Sequence, residues 1–284
     1  MSSLMINGIN VYSNNAEIQT QLPIIMEAPK FKKFISSLDT DILEIIGIEI
    51  NGVKWFCNPK NPVAEKLGFL YLEMFASDKR NGKPVPGVVF LRGDAVAVYL
   101  RVRFENQKYV VLTKQVRGPI GNIALEIPAG MMDDNNSFTG VAMKEITEET
   151  GIVAPSKESL IPLTKIWPSP GGCDEAIELF YLEVDIESGK FNEMQEKTFG
   201  AENENESIQL LLVPEEKYED MLMTIGDVKA IASHFAAKKM GLIQSVLLQS
   251  DIDGSKEVIK NLFIMMFLFL VVNIGLNIYI SIVV

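Results

Sequence analysis

Residues 130–152 read GMMDDNNSFTGVAMKEITEETGI, and this stretch joins a loop to an acidic helix. The Pro128-Ala129-Gly130 segment at its start is typical of a loop. Apolar residues at near-helical spacing then predict a helix, which Gly151 would end as a C-terminal cap. Three glutamates fall in the last turns of this helix: Glu145, Glu148 and Glu149. Their spacings of three and four residues predict that they share one helix face.

This grouping of acidic side chains destabilises a helix unless a positive charge binds to the carboxylates. Like charges four residues apart cost about 0.2–0.5 kcal/mol, and a carboxylate near a helix C-terminus opposes the helix dipole by about 0.3–1 kcal/mol. A divalent cation reverses the sign of both effects, and hard cations such as Mg²⁺ prefer carboxylate and phosphate oxygens. The glutamates therefore indicate a metal site, with a solvated acidic helix end as the alternative interpretation.

The surrounding residues favour the metal site, because the stretch resembles the Nudix box. That pattern is Gly, five residues, Glu, seven residues, Arg-Glu, an aliphatic residue, any residue, Glu-Glu, any residue, Gly and an aliphatic residue. The matching positions are Gly130, Glu145, Ile146, Glu148, Glu149, Gly151 and Ile152. Asn136 replaces the first Glu and Lys144 replaces the Arg. In the family these two positions mainly brace the loop and helix, so the replacements concern rigidity more than chemistry. A variant that binds without catalysis stays open.

Composition limits the other classes of function. The chain has 284 residues, a net charge of −11 and an isoelectric point of about 4.8. Nucleic acid is therefore not expected as the main partner, because phosphate backbones need cationic side chains. The two cysteines, Cys57 and Cys173, are far apart and predict no disulfide framework. With one histidine, His234, histidine triads and zinc sites are not expected, which leaves carboxylates and cations for chemistry.

The order of apolar segments predicts an α+β fold. Residues 1–85 read as a small, mainly β N-terminal lobe, residues 86–245 as the Nudix domain, and residues 246–261 as a linker. Closely spaced strands, one helix and further strands predict a mixed sheet covered by helices. This prediction agrees with the α/β/α sandwich that the resemblance implies.

Local signals predict individual elements within these domains. Residues 26–38 read as one short helix, and Asn51-Gly52 predicts a turn between two strands. Further strands are expected at Val88–Leu91, at the start of the Nudix domain, and at Ile161–Ile166. Residues 192–207 are polar and acidic and predict a solvated loop.

A second segment with a functional pattern, residues 167–175, reads WPSPGGCDE. Its prolines and glycines predict a shaped loop with little conformational entropy to lose and room for close backbone approach; the alternative is an ordinary turn. The segment resembles the S-P-G-G loop of ADP-ribose and ADP-sugar diphosphatases, in which an acidic residue follows as Glu175 does here. The position of Pro168 is also similar to that subgroup. On this resemblance Gly171, Gly172 and Glu175 are substrate-binding residues.

The resemblance to Nudix hydrolases is closest to the plant-type ADP-sugar diphosphatases. It implies hydrolysis of a nucleoside diphosphate sugar, such as ADP-glucose or ADP-ribose, to AMP and a sugar phosphate. It also implies Mg²⁺ or Mn²⁺ as the cofactor, which would bridge pyrophosphate oxygens and activate a water. The implied metal ligands are Glu145, Glu149, Glu206 and the Ala129 carbonyl.

Further roles follow from the same resemblance. Glu148 would ligate or orient water, and Glu204 is the candidate general base. Arg117 would face the diphosphate, where a guanidinium can form paired hydrogen bonds; a surface arginine at a strand end is the alternative interpretation. Two other functions stay open: a non-catalytic sensor of ADP-ribose-like ligands, and a Nudix enzyme acting on a UDP-sugar or a dinucleoside polyphosphate.

Two expectations concern partners and location. The resemblance implies a homodimer formed through the leading lobe. The uncharged segment 262–284 is long enough, as a helix, to cross a hydrocarbon core of about 30 Å. It predicts a C-terminal transmembrane helix that anchors a cytoplasmic catalytic domain, and a misread gene segment is the alternative.

Overall fold

The computed structural model describes residues 3–132, 137–200 and 207–243. The chain divides into two compact units, Met1–Lys239 and Met240–Val284, and only the first few residues of the second unit are described. The strands are β1 Leu4–Ile6, β2 Ile9–Tyr12, β3 Leu43–Trp55, β4 Leu67–Asp78, β5 Lys83–Pro84, β6 Val88–Leu91, β7 Ala95–Phe104, β8 Gln107–Arg117, β9 Asn122–Glu126, β10 Ala129–Met131, β11 Ile161–Ile166, β12 Ile177–Asp185 and β13 Gln209–Pro214. The α-helices are α1 Ala16–Glu27, α2 Pro29–Ser37, α3 Phe138–Thr150, α4 Ser188–Glu196, α5 Glu215–Ile225 and α6 Val228–Lys239.

The first lobe is a sheet with two helices packed against its buried face. Its strands lie in the order β1-β2-β3-β4-β5, and β6 also pairs with β4. Side chains along β4 alternate between the two faces of the sheet, as strand geometry requires. Leu70 and Leu72 are buried, and they share a core with Leu22 of α1 and Phe31 of α2. Tyr71, between the two leucines, is exposed on the opposite face.

The second sheet has the strand order β11-β12-β7-β8-β13. One edge of β7 pairs in parallel with the whole of β12, whereas only the last residues of β7 pair with β8 along the other edge. The first residues on that other edge pair with β10, and β9 pairs with the later part of β8. β7 and β8 therefore diverge, and β9 and β10 fill the gap between them. The segment that leads into residues 130–152 thus lies inside the sheet and not at its border.

Helices cover both faces of this second sheet. Val98 of β7 packs in the same core as Ile146 of α3. The next residue, Tyr99, points to the other face, where its ring meets Tyr218 of α5 and His234 of α6. Alternate residues of one strand thus serve two helical layers, which confirms the α+β class and the α/β/α sandwich.

The predicted turn at Asn51-Gly52 is wrong. β3 runs through both residues and pairs with β4, and Gly52 stands opposite Tyr71 beside a register shift. Gly52 does not have the positive φ that a two-residue hairpin turn of this kind needs. A long, continuous partner strand therefore overrides the local turn signal.

Residues 26–38 form the end of α1 and then α2, and not one helix. Ala28 between them is extended, with φ −62° and ψ 128°, because the residue before a proline avoids the helical conformation. Pro29 then starts α2. The predicted loop at residues 192–207 is also partly wrong, since α4 continues to Glu196, whereas the strand Ile161–Ile166 is confirmed.

The first sheet continues beyond residue 85, because β6 pairs with β4. The proposed linker 246–261 and the uncharged segment 262–284 lie outside the described residues. Within the described ranges, no helix is long and apolar enough to cross a membrane.

Candidate active site

The acidic box begins on β10 and continues into α3. Ser137 caps the helix, and its Oγ accepts a hydrogen bond from the Gly140 N–H at 3.1 Å. Gly151 ends the helix in the left-handed conformation, with φ 65°. Both residue types are favoured at these positions, so the predicted helix and its C-terminal cap are confirmed. Asn136 belongs to residues 133–136, which lie outside the described part of the chain.

Gly130 and Glu145 are in close contact. A Cβ atom built on Gly130 would lie 1.9 Å from Glu145 Cδ and 2.3 Å from its Cγ. Such distances are far inside van der Waals contact, so any other residue at position 130 would displace the Glu145 side chain. The glycine therefore allows the Glu145 carboxylate to lie against the backbone of β10.

Glu149 meets the same backbone from the next turn of α3. Its side chain is buried, and Oε2 accepts a hydrogen bond from the Ala129 N–H at 3.0 Å. On either side of Ala129, the Pro128 carbonyl accepts from the Val98 N–H of β7, and the Met132 N–H donates to the Asp94 carbonyl directly before β7. Because the N–H and C=O of one strand residue point to the same side, the Ala129 carbonyl is also directed away from β7 and toward α3. The structure thus brings Glu145, Glu149 and Ala129 together.

Glu148 has different surroundings from the other two glutamates. Its carboxylate forms an ion pair with Lys144, with Nζ and Oε2 3.3 Å apart. Its carbonyl oxygen accepts a hydrogen bond from the Gly200 N–H at 3.1 Å. Lys144, which replaces the arginine of the box pattern, therefore pairs along the helix with Glu148.

The residues that flank the segment with Glu204 and Glu206 are bonded to each other. Phe199 and Ile208 exchange two backbone hydrogen bonds, of 2.8 and 2.9 Å, and Gly200 bonds to the box helix. The described residues on either side of positions 201–206 are thus tied to each other and to α3. Glu204 and Glu206 themselves lie outside the described residues, and their predicted roles stay predictions.

Arg117 lies at the end of β8 and is paired with Glu126 on β9. Arg117 Nε donates to Glu126 Oε2 at 2.6 Å. The other oxygen of this carboxylate, Oε1, accepts from Lys229 Nζ of α6 at 2.9 Å. Lys229 also donates to Asp227 Oδ1 at 2.8 Å, and Asp227 Oδ2 accepts from the Ile127 N–H at 3.1 Å.

The charges in this network shift one another's pKa values. Burial alone would raise the pKa of Glu126, but Lys229 and Arg117 outweigh it and lower this pKa below its ordinary value. Burial alone would lower the pKa of Lys229, but the Asp227 and Glu126 carboxylates outweigh it and raise this pKa. The Glu126 carboxylate and the Lys229 ammonium group are therefore both charged at neutral pH.

The loop at residues 167–175 is docked on β6 of the first sheet and on Arg92, which follows that strand. The Gly172 carbonyl accepts from the Phe90 N–H at 2.8 Å, and the Asp174 carboxylate accepts from the Arg92 N–H at 2.7 Å. Arg92 Nε and Glu175 Oε1 lie 3.3 Å apart, close enough for an ion pair but not aligned as a hydrogen bond. A Cβ atom on Gly171 or on Gly172 would meet no atom within 4 Å, so there is open space beside this part of the loop.

Electrostatics connect this loop with the Arg117 network. Burial raises the pKa of Glu175, although the positive charges of Arg92 and Lys229 oppose that rise. Lys229 is therefore within electrostatic reach of Glu175 as well as bonded to Glu126. Of the residues predicted from sequence, Glu145, Glu149 and Ala129 meet directly, and Glu175 is linked to the Arg117 network through Lys229.

The donor set fits a hard divalent cation. Two carboxylates border a segment whose Ala129 carbonyl faces the same helix, and Gly130 leaves room for one of them. Oxygen donors of this kind suit Mg²⁺ or Mn²⁺. Within residues 3–132, 137–200 and 207–243, no three acidic, histidine or cysteine side chains are grouped closely enough to hold a metal alone. Glu206, the further ligand predicted from sequence, lies outside the described residues.

Sequence reasoning missed Glu126 and Lys229. Their bond joins residues 103 positions apart, so no local spacing could reveal it. One signal was available: Glu126 is an acidic residue that follows the apolar run 123–125 and lies two positions before Pro128. Asp227 accepts from the Lys229 N–H at 3.1 Å at the start of α6, and its other bond, from the Ile127 N–H, joins residues 100 positions apart.

Comparison with known proteins gives a consistent result. A sequence model of the NUDIX domain matches residues 91–232, half of the chain. Nudix hydrolase 14, chloroplastic, of Arabidopsis thaliana is 37% identical over 200 residues, which are 66% of this chain and 63% of that protein. The ADP-ribose pyrophosphatase of Bacillus subtilis is 34% identical over 103 residues, 36% of this chain and 52% of the relative. The chain thus spans less than two thirds of either relative.

A solved structure has a similar fold. The crystal structure of an ADP compounds hydrolase superposes with a TM-score of 0.50, over 72% of this chain and 96% of that one. Because the two sequences are 14% identical, this similarity concerns the fold alone.

Proposed function

Because this chain belongs to the Nudix hydrolase family, we propose that it hydrolyses the diphosphate bond of a nucleoside diphosphate sugar such as ADP-glucose or ADP-ribose. Water adds across the P–O–P linkage, and the products are AMP and a sugar phosphate. The observation that carries this proposal is the meeting of Glu145 and Glu149 at Ala129–Gly130. Two carboxylates held against one backbone segment form a binding place for cation and phosphate oxygens.

The residues that would hold Mg²⁺ or Mn²⁺ are Glu145, Glu149, the Ala129 carbonyl and Glu206. When bound, such a cation neutralises charge on the diphosphate oxygens and lowers the pKa of a water. Glu149 is fixed by its bond from Ala129, and Glu145 by its contact with Gly130. Both carboxylates are thus set in place before the substrate arrives, which is what electrostatic catalysis requires.

The other proposed roles belong to side chains around this centre. Arg117 binds the diphosphate: Glu126 occupies its Nε, and the two terminal amino groups can then face a phosphate. Gly171 and Gly172 leave space for the sugar nucleotide, and Glu175 binds it from the same loop. Glu148 orients the attacking water and Glu204 takes its proton.

Adenine nucleotides are the favoured substrates for two reasons. The Ser169-Pro170-Gly171-Gly172 loop resembles that of ADP-sugar diphosphatases, and the Bacillus subtilis relative is named an ADP-ribose pyrophosphatase. The alternatives are a UDP-sugar or dinucleoside polyphosphate substrate, and a ligand sensor that does not turn over.

A substrate panel tests the proposal. ADP-glucose, ADP-ribose, UDP-glucose and a dinucleoside polyphosphate are incubated with the protein in Mg²⁺, in Mn²⁺ and in EDTA, and AMP or UMP release is measured. We expect metal-dependent release of AMP, faster from both ADP-sugars than UMP release from UDP-glucose. A preference for UDP-glucose of tenfold or more in kcat/KM contradicts the substrate assignment. Binding of ADP-ribose without AMP release would identify a sensor.

Membrane attachment through residues 262–284 is a separate proposal, which their length and lack of charge support. The full chain and a chain ending at Lys260 are expressed and fractionated. We expect only the full chain in the membrane fraction, and equal soluble recovery of both contradicts the proposal.

A further inference from the structure

The Glu126 carboxylate carries a different cation on each oxygen. Arg117 Nε bonds to Oε2 at 2.6 Å, and Lys229 Nζ bonds to Oε1 at 2.9 Å. Lys229 is in turn bonded to Asp227 at 2.8 Å. The four side chains therefore form a line of alternating charge, from Asp227 through Lys229 and Glu126 to Arg117.

This line runs from the protein interior to the surface. The exposed fraction of the side chain is 4% for Asp227, 13% for Lys229, 16% for Glu126 and 40% for Arg117. The buried end is also fixed to the backbone, because Asp227 accepts hydrogen bonds from the Ile127 and Lys229 N–H groups. Arg117 is thus the solvent-facing end of a network whose other end is buried and bonded to the backbone.

We propose that Lys229 is a positioning residue for the diphosphate, acting through Glu126 to hold the Arg117 guanidinium toward the substrate. This inference rests on the proposed function of the site. Lys229 takes up one oxygen of Glu126, so that only the other oxygen is left for Arg117. A carboxylate with both oxygens available would form a bidentate pair with the guanidinium. That pairing would occupy a terminal amino group of Arg117 that is otherwise available to phosphate.

Lys229 also offsets the repulsion between two carboxylates, those of the buried Asp227 and the half-buried Glu126. Asp227 and Glu126 each lie within 3 Å of Lys229 Nζ and would repel each other without it. Removal of its charge would therefore displace Glu126 from its present position, and Arg117 with it. A displacement of about 1 Å at a substrate-positioning group can cost about 10²-fold in rate.

The test is a double-mutant cycle on ADP-ribose hydrolysis. Lys229→Met is made in the parent and in Arg117→Gln, and kcat and KM are measured for all four proteins. We expect Lys229→Met to lower kcat/KM by about 10- to 100-fold in the parent and by less than about twofold in Arg117→Gln. The loss should divide between kcat and KM in the proportion seen for Arg117→Gln alone. A residue that supported folding only would give equal losses in both backgrounds, and this outcome would overturn the inference.

Two further variants make the comparison specific. Lys229→Arg keeps the charge and should retain most of the activity. Lys238→Met removes a lysine of the same helix that is also paired with a glutamate, Glu219, and should leave kcat/KM unchanged. A loss in Lys238→Met as large as in Lys229→Met overturns the inference. If thermal melts show that Lys229→Met does not fold, Lys229→Gln replaces it, since Gln keeps an N–H donor but no charge.

The outcomes also separate this inference from the proposed function. A parent protein that neither hydrolyses nor binds ADP-ribose overturns both. A parent protein that hydrolyses ADP-ribose, combined with a Lys229→Met variant of unchanged kcat/KM, overturns the role of Lys229 and leaves the proposed function standing.

Discussion

Gly130 is important because it has no Cβ atom, which would clash with Glu145. In Gly130→Ala the new Cβ would lie 1.9 Å from Glu145 Cδ, and rotation of the flexible Glu145 side chain away from β10 relieves the clash. We expect the protein to fold and kcat/KM for ADP-ribose to fall about 10²-fold, because a metal-binding group is misplaced. Activity assays beside thermal melts measure both effects. Gly189→Ala is the control, since a methyl there meets no atom within 4 Å, and it should leave activity unchanged.

Glu149→Gln separates the charge of this side chain from its shape. Glutamine can still accept the Ala129 N–H but carries no charge, so we expect kcat to fall about 10²-fold or more. In EDTA the free energy of unfolding should change by only about 1 kcal/mol. The bond from Ala129 weakens when its acceptor loses charge, while repulsion from Glu145 and the opposition to the helix dipole are relieved.

The measurement for Glu149→Gln is a pair of thermal melts, in EDTA and in Mg²⁺, beside turnover of ADP-glucose. Mg²⁺ should raise the Tm of the parent protein more than that of the variant, because the ion stabilises the state that binds it. Glu196→Gln, at the exposed end of α4, is the control and should behave as the parent. Weakened folding with normal activity per folded molecule would show that Glu149 is only structural.

The site residues were predictable from sequence where they lie close together along the chain. Gly130, Glu145 and Glu149 follow a pattern along one loop and helix, and the structure brings them together. Glu126 and Lys229 could not be predicted, because their pairing depends on how β9 meets α6 across the sheet. The hydrogen bond from Ala129 to Glu149 was also unforeseen, because it joins residues 20 positions apart.

The helix α6 carries the chain's one histidine into a buried aromatic layer. His234 Nδ1 lies 3.3 Å from the Tyr99 hydroxyl, and its Nε2 lies 3.0 Å from Glu219 Oε1. Lys238 bonds to the same Glu219 carboxylate, and Tyr218 packs against the ring. Burial lowers the pKa of His234, and Glu219 offsets this only in part. The folded protein therefore favours the neutral imidazole.

This preference predicts a pH dependence of stability. Between the ordinary histidine pKa of about 6.5 and the lower pKa in the folded state, the unfolded chain binds more protons than the folded one. The free energy of unfolding should therefore decrease as the pH falls below about 6.5. In His234→Gln this part of the slope should be absent, since no titrating group remains there. Urea denaturation at several pH values between 5.5 and 7.5 measures both proteins, and equal slopes would contradict the assignment.

Helices and strands were predictable from sequence where the local pattern alone determines them. The strand at Ile161–Ile166 and the capped helix α3 follow from local pattern. The predicted turn at Asn51-Gly52 was wrong because β4 is a continuous pairing partner for β3, which is a tertiary effect. The helix break at Ala28 was missed, although Pro29 signals it locally. The placement of β9 and β10 between β7 and β8 depends on long-range strand pairing, which no local pattern contains.

The first lobe exposes an apolar sheet face. Tyr71 of β4 and Phe90 of β6 are directly opposite in register, as are Glu73 and Val88, so these side chains share one face. The exposed apolar side chains around them are Phe56, Tyr71, Phe75, Val88 and Phe90. A face of this kind on a folded lobe supports the proposal of a homodimer through the leading lobe.

Sedimentation equilibrium tests the homodimer. We expect the mass of two chains for the parent protein. Tyr71→Lys should shift the mass toward one chain, because burial of an unpaired charge disfavours association. Met223→Lys, on an exposed position of α5, is the control and should leave the dimer intact. A parent protein with the mass of one chain refutes the proposal.

The divergence of β7 and β8 has a consequence for the order of folding. The strand β7 pairs with β12, so that Ala95 of β7 stands opposite Ile177 of β12. Glu126 bonds to Lys229 across 103 positions. Contacts of such long sequence separation are slow, since loop-closure entropy must be overcome before they contribute. A ribosome releases the box long before α6, so a nascent chain holds Glu126 and Arg117 without Lys229. We expect hydrolytic activity to return during refolding only after Trp55, in the core of the first lobe, has regained its native fluorescence.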